Sequence, residues 1–132
     1  MPEAVAACVV YVVQADESVR NGLQRVIDSA GLESAPCKSL DAFLAQTPGR
    51  NVACALLDIS GLRACAPTLW ARLRTMAARV PVIALSSRDD PEMGRIAHDL
   101  GARAFFRIPV DAAALLDSID WVTRADGARP PG

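Results

Sequence analysis

Asp58 has the residue type and the setting for chemistry. It ends the apolar run Val52-Ala53-Cys54-Ala55-Leu56-Leu57, which reads as a buried strand. In an open parallel sheet, sites gather outside the carboxyl ends of the strands. A carboxylate there can accept a group, help hold a cation or tie down a loop. The same edge is expected to collect Gln14, Ala15 and Asp16 after the first strand, Ser86 after the fourth and Ile108 after the fifth. Other chemistry is poorly supplied. Cys8, Cys37, Cys54 and Cys65 form no C-x-x-C pair, which speaks against zinc and thioredoxin-type sites. Cys8 and Cys54 lie in apolar runs and read as core; Cys65 lies in a loop after Asp58. His98 is the sole histidine, and one histidine is a poor metal site. There is no glycine-rich phosphate loop and no nucleophile–base pair, so the chain is not expected to be an enzyme.

The elements that must position Asp58 follow from composition and periodicity. A chain of 132 residues with 52% hydrophobic and 22% charged residues suits one domain with a real core. No apolar run is long enough to span a bilayer, and the start Met1-Pro2-Glu3 lacks the basic residues of a secretion signal. A cytoplasmic protein without membrane contact is expected. The net charge of -1 and the scattered basic residues give no nucleic-acid footprint.

Ala7 to Val13 reads as the first strand. Asp16 caps a helix whose stripe is Val19, Leu23, Val26, Ile27 and Ala30, and Gly31 ends it. Leu32 to Cys37 is a plausible edge strand. Ser39 caps a second helix with Leu40, Phe43 and Leu44 inward, broken by Thr47-Pro48-Gly49. After strand three, Ser60 to Ala66 reads as a loop, and Pro67 opens a helix with the stripe Leu69, Leu73, Met76 and Ala77. Val80 to Leu85 is strand four, followed by a turn at Ser86-Ser87-Arg88. Asp90-Pro91 caps a helix with Met93, Ile96, Ala97 and Leu100 inward, closed by Gly101. Ala104 to Ile108 is strand five, with Pro109 at its exit. Asp111 caps a last helix with the stripe Leu115, Leu116, Ile119 and Val122. Residues 1–124 form the domain; Ala125 to Gly132 reads as a linker or frayed tail. Alternating strands and helices predict an α/β, doubly wound parallel sheet covered on both faces.

In this order the motifs resemble the receiver domain of bacterial two-component response regulators, from about Val9 to Val122. Asp16-Glu17-Ser18-Val19-Arg20 is similar to the start of the first helix in LuxR-type regulators. Leu56-Leu57-Asp58 resembles the phosphoacceptor strand. Pro81-Val82-Ile83-Ala84-Leu85-Ser86 resembles the strand with the switch hydroxyl. Gly101-Ala102-Arg103-Ala104-Phe105-Phe106 with Pro109 resembles the family's G-A-x-x-[FY] stretch and its proline. The resemblance implies a flavodoxin-like sheet of order 2-1-3-4-5 with five helices, Asp58 as the phosphoacceptor equivalent, and Ser86 and Phe105 as the switch equivalents.

Several positions depart from that pattern. The family's two metal-binding acids are Gln14 and Ala15 here, and its lysine is Ile108. Ile59-Ser60-Gly61-Leu62-Arg63-Ala64 replaces the usual loop. Alanine cannot ligate Mg²⁺, a neutral amide is a poorer ligand for a hard cation, and isoleucine offers no charge. If any metal role survives, Asp16 and Asp58 would carry it; Arg63 or Arg88 would be the replacement cations. The expectation is therefore a degenerate pseudo-receiver without cofactor. It would act by binding a protein: a sensor kinase, an output domain or another regulator.

The resemblance implies contacts, including a homodimer, on the face of helix four, strand five and helix five. Glu92, Arg95, His98, Arg103, Asp117, Trp121 and Arg124 are its candidate surface residues. Trp121 and Trp70 both fall off their helical stripes. In LuxR-type regulators a DNA-binding domain follows the last helix, so contact with nucleic acid is not expected from these residues themselves. Two other readings stay open: a working Asp58 phosphoacceptor with Mg²⁺ in unusual geometry, and a small-molecule sensor using the strand-end pocket.

Overall fold

The computed structural model describes residues 9–46 and 52–128. Five strands form one parallel sheet: β1 (Val9–Val13), β2 (Glu33–Cys37), β3 (Val52–Asp58), β4 (Val82–Ser86) and β5 (Ala104–Arg107). Their order is β2-β1-β3-β4-β5, the order that the family resemblance implies. The helices are α1 (Glu17–Ser29), α2 (Leu40–Ala45), α3 (Pro67–Ala77), α4 (Glu92–Leu100) and α5 (Ala112–Ala128). Among the described residues no helix is long and apolar enough to cross a membrane.

Strand alternation divides the core in two. Ala55 and Leu57 of β3, with Val82 and Ala84 of β4, meet Phe43 of α2, Leu73 and Met76 of α3, and Met93, Ala97 and Leu100 of α4. Cys54 and Leu56, with Ile83 and Leu85, meet Leu23 and Ile27 of α1 and Leu115, Ile119 and Val122 of α5 on the other face. Residues on both faces of β3 and β4 are fully buried, which is why these two strands read as continuous apolar runs.

The caps hold as the sequence suggests. Asp16 accepts from the Val19 N–H at 3.0 Å, Ser39 from Ala42 at 3.0 Å and Asp111 from Ala114 at 2.9 Å. Gly31 and Gly101, at φ 79° and 96°, take the left-handed positions after α1 and α4. The α4 N-terminus is shifted by one residue: Pro91 precedes the helix, while the Asp90 carboxylate accepts from the Glu92 N–H at 2.9 Å.

Other expectations are corrected. Ala30 is exposed, because the helix has already ended there, and the buried place on α1 goes to Arg20. Ser86 is the last residue of β4, paired with Arg107, not the first of a turn. The stretch after Asp58 is no simple loop: it carries a 3-10 turn, Leu62–Ala64, whose Leu62 is buried along with Ile59. Trp70 is half-buried against the core, because α4 closes over that side of α3. α5 runs through Ala128, four residues into the segment read as a tail. Ala7, Cys8, the break at Thr47-Pro48-Gly49 and the final residues 129–132 lie outside the described residues.

Cys54 is fully buried between β1 and the α1–α5 layer, and burial pushes its thiol up from 9.0 to about 12. The neutral thiol is thus favoured in the fold. Its contribution is complete below about pH 9 and is lost as pH rises toward 12. Urea midpoints of the native protein should fall more steeply between pH 9 and 11 than those of Cys54→Ala. Parallel pH profiles would contradict that burial.

Candidate functional site

Asp58 is placed at the tip of β3 because its strand is held on both sides, by β1 and β4. Pairing continues one residue beyond it, with the Ile59 N–H donating to the Leu85 carbonyl at 2.8 Å. Ile59 is fully buried, so the chain cannot swing away after the carboxylate. Half-buried Asp58 then turns onto its own loop. Its Oδ1 accepts from the Ser60 N–H at 3.0 Å and from the Ser60 hydroxyl at 2.7 Å. This is the local Asx-type closure that an Asp two residues before a polar residue favours.

Ser60 also reaches the next loop. Its Oγ accepts from the Ser87 N–H at 3.1 Å and lies 3.3 Å from the Ser87 hydroxyl. A hydroxyl has one proton and two lone pairs. Because the Ser60 hydroxyl donates its one proton to the Asp58 carboxylate, the Ser87 hydroxyl must donate to Ser60, and the Ser60 hydroxyl is saturated. A second link lies beside it: Arg63 Nη1 to Asp90 Oδ2 at 2.9 Å. Both links join the segment after β3 to the segment after β4.

Ser86 is fully buried. Its Oγ accepts from the Arg88 N–H at 3.0 Å and donates to the Arg88 carbonyl at 3.3 Å. The predicted switch hydroxyl therefore closes its own turn. Phe105 is half-buried against the α2–α4 layer. Ile108 packs on the opposite cluster, among α1 and α5 side chains, while its N–H donates to the Ser86 carbonyl at 2.8 Å.

The first strand end is built differently from the expected metal corner. Gln14 is buried, and its Oε1 accepts from the Asp16 N–H at 3.1 Å. Ala15 is exposed. The Asp16 carboxylate is engaged as the α1 cap. Arg20 is buried, with Nη1 donating to the Gln14 carbonyl at 2.8 Å and to the Ala15 carbonyl at 3.3 Å. Among the described residues no group of three or more His, Cys, Asp or Glu side chains could hold a metal ion.

Of the predicted replacement cations, Arg63 is held by Asp90, and Arg88 enters through its backbone. The predicted surface residues fall on two helices and a strand entry. Arg95 and His98 are exposed on α4, and Asp117 and Trp121 on α5, with the Trp121 side chain 62% accessible. Glu92 and Arg103 are half-buried, and the Arg124 side chain lies outside the described residues.

Sequence reasoning missed Arg20, Ser60, Ser87 and the Arg63–Asp90 pair. Arg20 lies three residues before Leu23 and seven before Ile27, on the buried stripe itself. The Asp58-x-Ser60 spacing carried the signal for the loop closure. The two contacts between loops are far apart in the chain, and no local pattern marks them.

A doubly wound sheet with a carboxylate at the tip of its central strand is the frame of a signalling receiver. The chain belongs to the response regulator receiver domain family, whose profile matches residues 10–120. The transcriptional regulatory protein FixJ of Azorhizobium caulinodans is 30% identical over 124 residues, covering 90% of this chain and 55% of that protein. The transcriptional regulatory protein TdiR of Thauera aromatica is 29% identical over 114 residues, 86% of this chain and 50% of that one. The chain thus spans about half the length of the curated relatives it matches. Among solved structures, the response regulator StyR superposes with a TM-score of 0.78 at 28% identity, covering 94% of this chain and 63% of that one. A CheY-like receiver domain from Methanospirillum hungatei gives the same TM-score at 17% identity, with 95% and 100% coverage, and shows the fold alone.

Two substitutions check the site. Ser60→Ala removes one donor from Asp58 and strands the Ser87 N–H; it should cost about 1 kcal/mol and speed amide exchange at Ser87. Arg20→Met leaves two carbonyls without their donor and should cost about 1–3 kcal/mol, with faster exchange at residues 14–16. Unchanged exchange at Ser87 in the first variant would break the proposed link between the loops.

Proposed function

We propose that this receiver domain works in signal transduction by binding a protein partner without being phosphorylated, and that it is not an enzyme. The observation that carries the reading is the closed Asp58–Ser60–Ser87 chain of hydrogen bonds. The carboxylate oxygen that accepts from Ser60 is already engaged twice, and the hydroxyl that engages it already reaches the neighbouring loop.

Charge supports the same reading. Phosphoryl transfer relies on positioning and on neutralising the incoming anion. Gln14 and Ala15 are neutral, Ile108 is aliphatic and half-buried against the far cluster, and Arg63 is held by Asp90. Mg²⁺ prefers several hard oxygen ligands in near-ideal geometry. The Gln14 amide oxygen and the Asp16 carboxylate each already accept a backbone N–H. The Arg20 guanidinium on the carbonyls of Gln14 and Ala15 adds positive charge where cation ligands would be needed. The donor set does not suit the ion.

The partner belongs to the class that receivers serve: a sensor kinase, an output domain or another regulator. Relatives named as transcriptional regulators support that class. A homodimer through α4, β5 and α5 is the form this reading favours for self-association, with Trp121 on its surface. NMR titration with Mg²⁺ and beryllofluoride decides the mode. The expected result is no saturable shift at Asp58, Ser60 or Ser87. Saturable shifts that vanish in Asp58→Asn would establish a working phosphoacceptor instead.

A further inference from the structure

A groove of about 370 Å³ lies between α4 and the segment that opens α3. Leu62, Cys65, Pro67 and Trp70 line one wall, and Ile96 faces them from α4. Leu62 is buried; Cys65, Trp70 and Ile96 are half-buried. None of this surface is used by the strand-end site. Trp70, which the helical stripe of α3 leaves aside, belongs to it.

The rim gives the groove a sign. Glu92, Ile96 and Asp99 stand at i, i+4 and i+7 on α4, so they share one face of the helix. At 1.5 Å per residue the two carboxylates are about 10 Å apart along the axis, with Ile96 between them. The cation on the rim, Arg63, is paired with Asp90. Among the described residues, neither the Glu92 nor the Asp99 carboxylate has an ion-pair or hydrogen-bond partner. The side of α4 that lines the groove is therefore acidic, apolar, acidic, with exposed Arg95 beside it and outside the lining.

We propose that this groove binds a basic amphipathic helix of a partner protein, with a large apolar side chain between α3 and α4 and lysine or arginine one turn to either side. An apolar anchor at i+3 or i+4, with basic residues at i and i+7, matches the α4 stripe in both period and charge. The Arg63–Asp90 pair spans from the α3 wall to the segment before α4. The inference rests on the reading of a receiver that binds proteins, and it places that binding on the α3 side of α4, with Glu92 shared with the predicted α4–β5–α5 face.

The test uses a helical peptide of about 16 residues, long enough to fold alone, with leucines at i+3 and i+4 and lysines at i and i+7. Binding is read by Trp70 fluorescence in the Trp121→Phe protein, and by protection of Cys65 from alkylation, mapped by mass spectrometry. Saturable binding is expected, at least about tenfold weaker for a peptide with alanines replacing the leucines. The Glu92→Gln/Asp99→Asn variant should lose a similar factor, and added salt should weaken the native pair. Asp99 is exposed and Glu92 half-buried, and both substitutions keep side-chain size, so the variant is expected to keep its fold, checked by circular dichroism.

Equal binding by a peptide with glutamates in place of the lysines would overturn the proposal. So would binding that the double variant leaves unchanged, or self-association of the free protein that protects Cys65. Peptide binding by a protein whose Asp58 responds to beryllofluoride would support the groove and remove only the phosphorylation-independent mode. No binding with Asp58 silent would remove the groove alone.

Discussion

The burial of β3 on both faces is the constraint from which the rest follows. Cys54 and Leu56 are fully enclosed by α1 and α5, and Ala55 and Leu57 by α2, α3 and α4. A strand so placed has no exposed side on which to carry a polar group. Its carboxylate can only stand at the tip. Because Ile59 is buried directly afterwards, the tip is followed by an anchored turn. Asp58 is thereby offered to a small set of neighbours, and Ser60 is the nearest in sequence.

Most of the fold was legible in the sequence because it is set by local rules. Strand-length apolar runs alternate with helical stripes, and Asp16, Ser39 and Asp111 mark helix starts. The errors fall where tertiary contact overrides a local rule. Arg20 sits on an apolar stripe, and a reader of polarity alone puts it in solvent. In the fold its guanidinium finds two carbonyls that the end of β1 leaves open, and its stem packs inward. Ile59 and Leu62 sit among Ser60, Gly61 and Arg63, a composition that reads as a loop, yet both close the core under α3 and α4.

The site was legible as positions, not as contacts. Asp58, Ser86, Gln14 and Ile108 stand at strand ends, as the alternation of elements requires. Their partners were hidden. Ser86 closes on Arg88, and Asp58 closes on Ser60, both over two residues. Ile108 shows why position alone misleads. Alternation along β5 places Phe105 toward the α2–α4 layer and Ile108, with Ala104 and Phe106, toward α1 and α5. A long cation there would have to reach around the strand end to meet Asp58. An isoleucine instead completes the cluster on its own side.

These substitutions reinforce one another. With no cation at position 108, a bare carboxylate at the tip of β3 gains stability from neutral donors, and Ser60 supplies two. A serine placed there has lone pairs left over, and the loop after β4 fills them through Ser87. Beside that link Asp90 lies 2.9 Å from Arg63, so a second contact joins the segment before α3 to the segment before α4. The Asp58 corner and the α3–α4 groove are thus two ends of one hydrogen-bonded frame. Ser60 and Ser87 join Asp58 to the segment that leads into α4, while Ser86 closes on Arg88 and Phe105 packs on the α2–α4 layer.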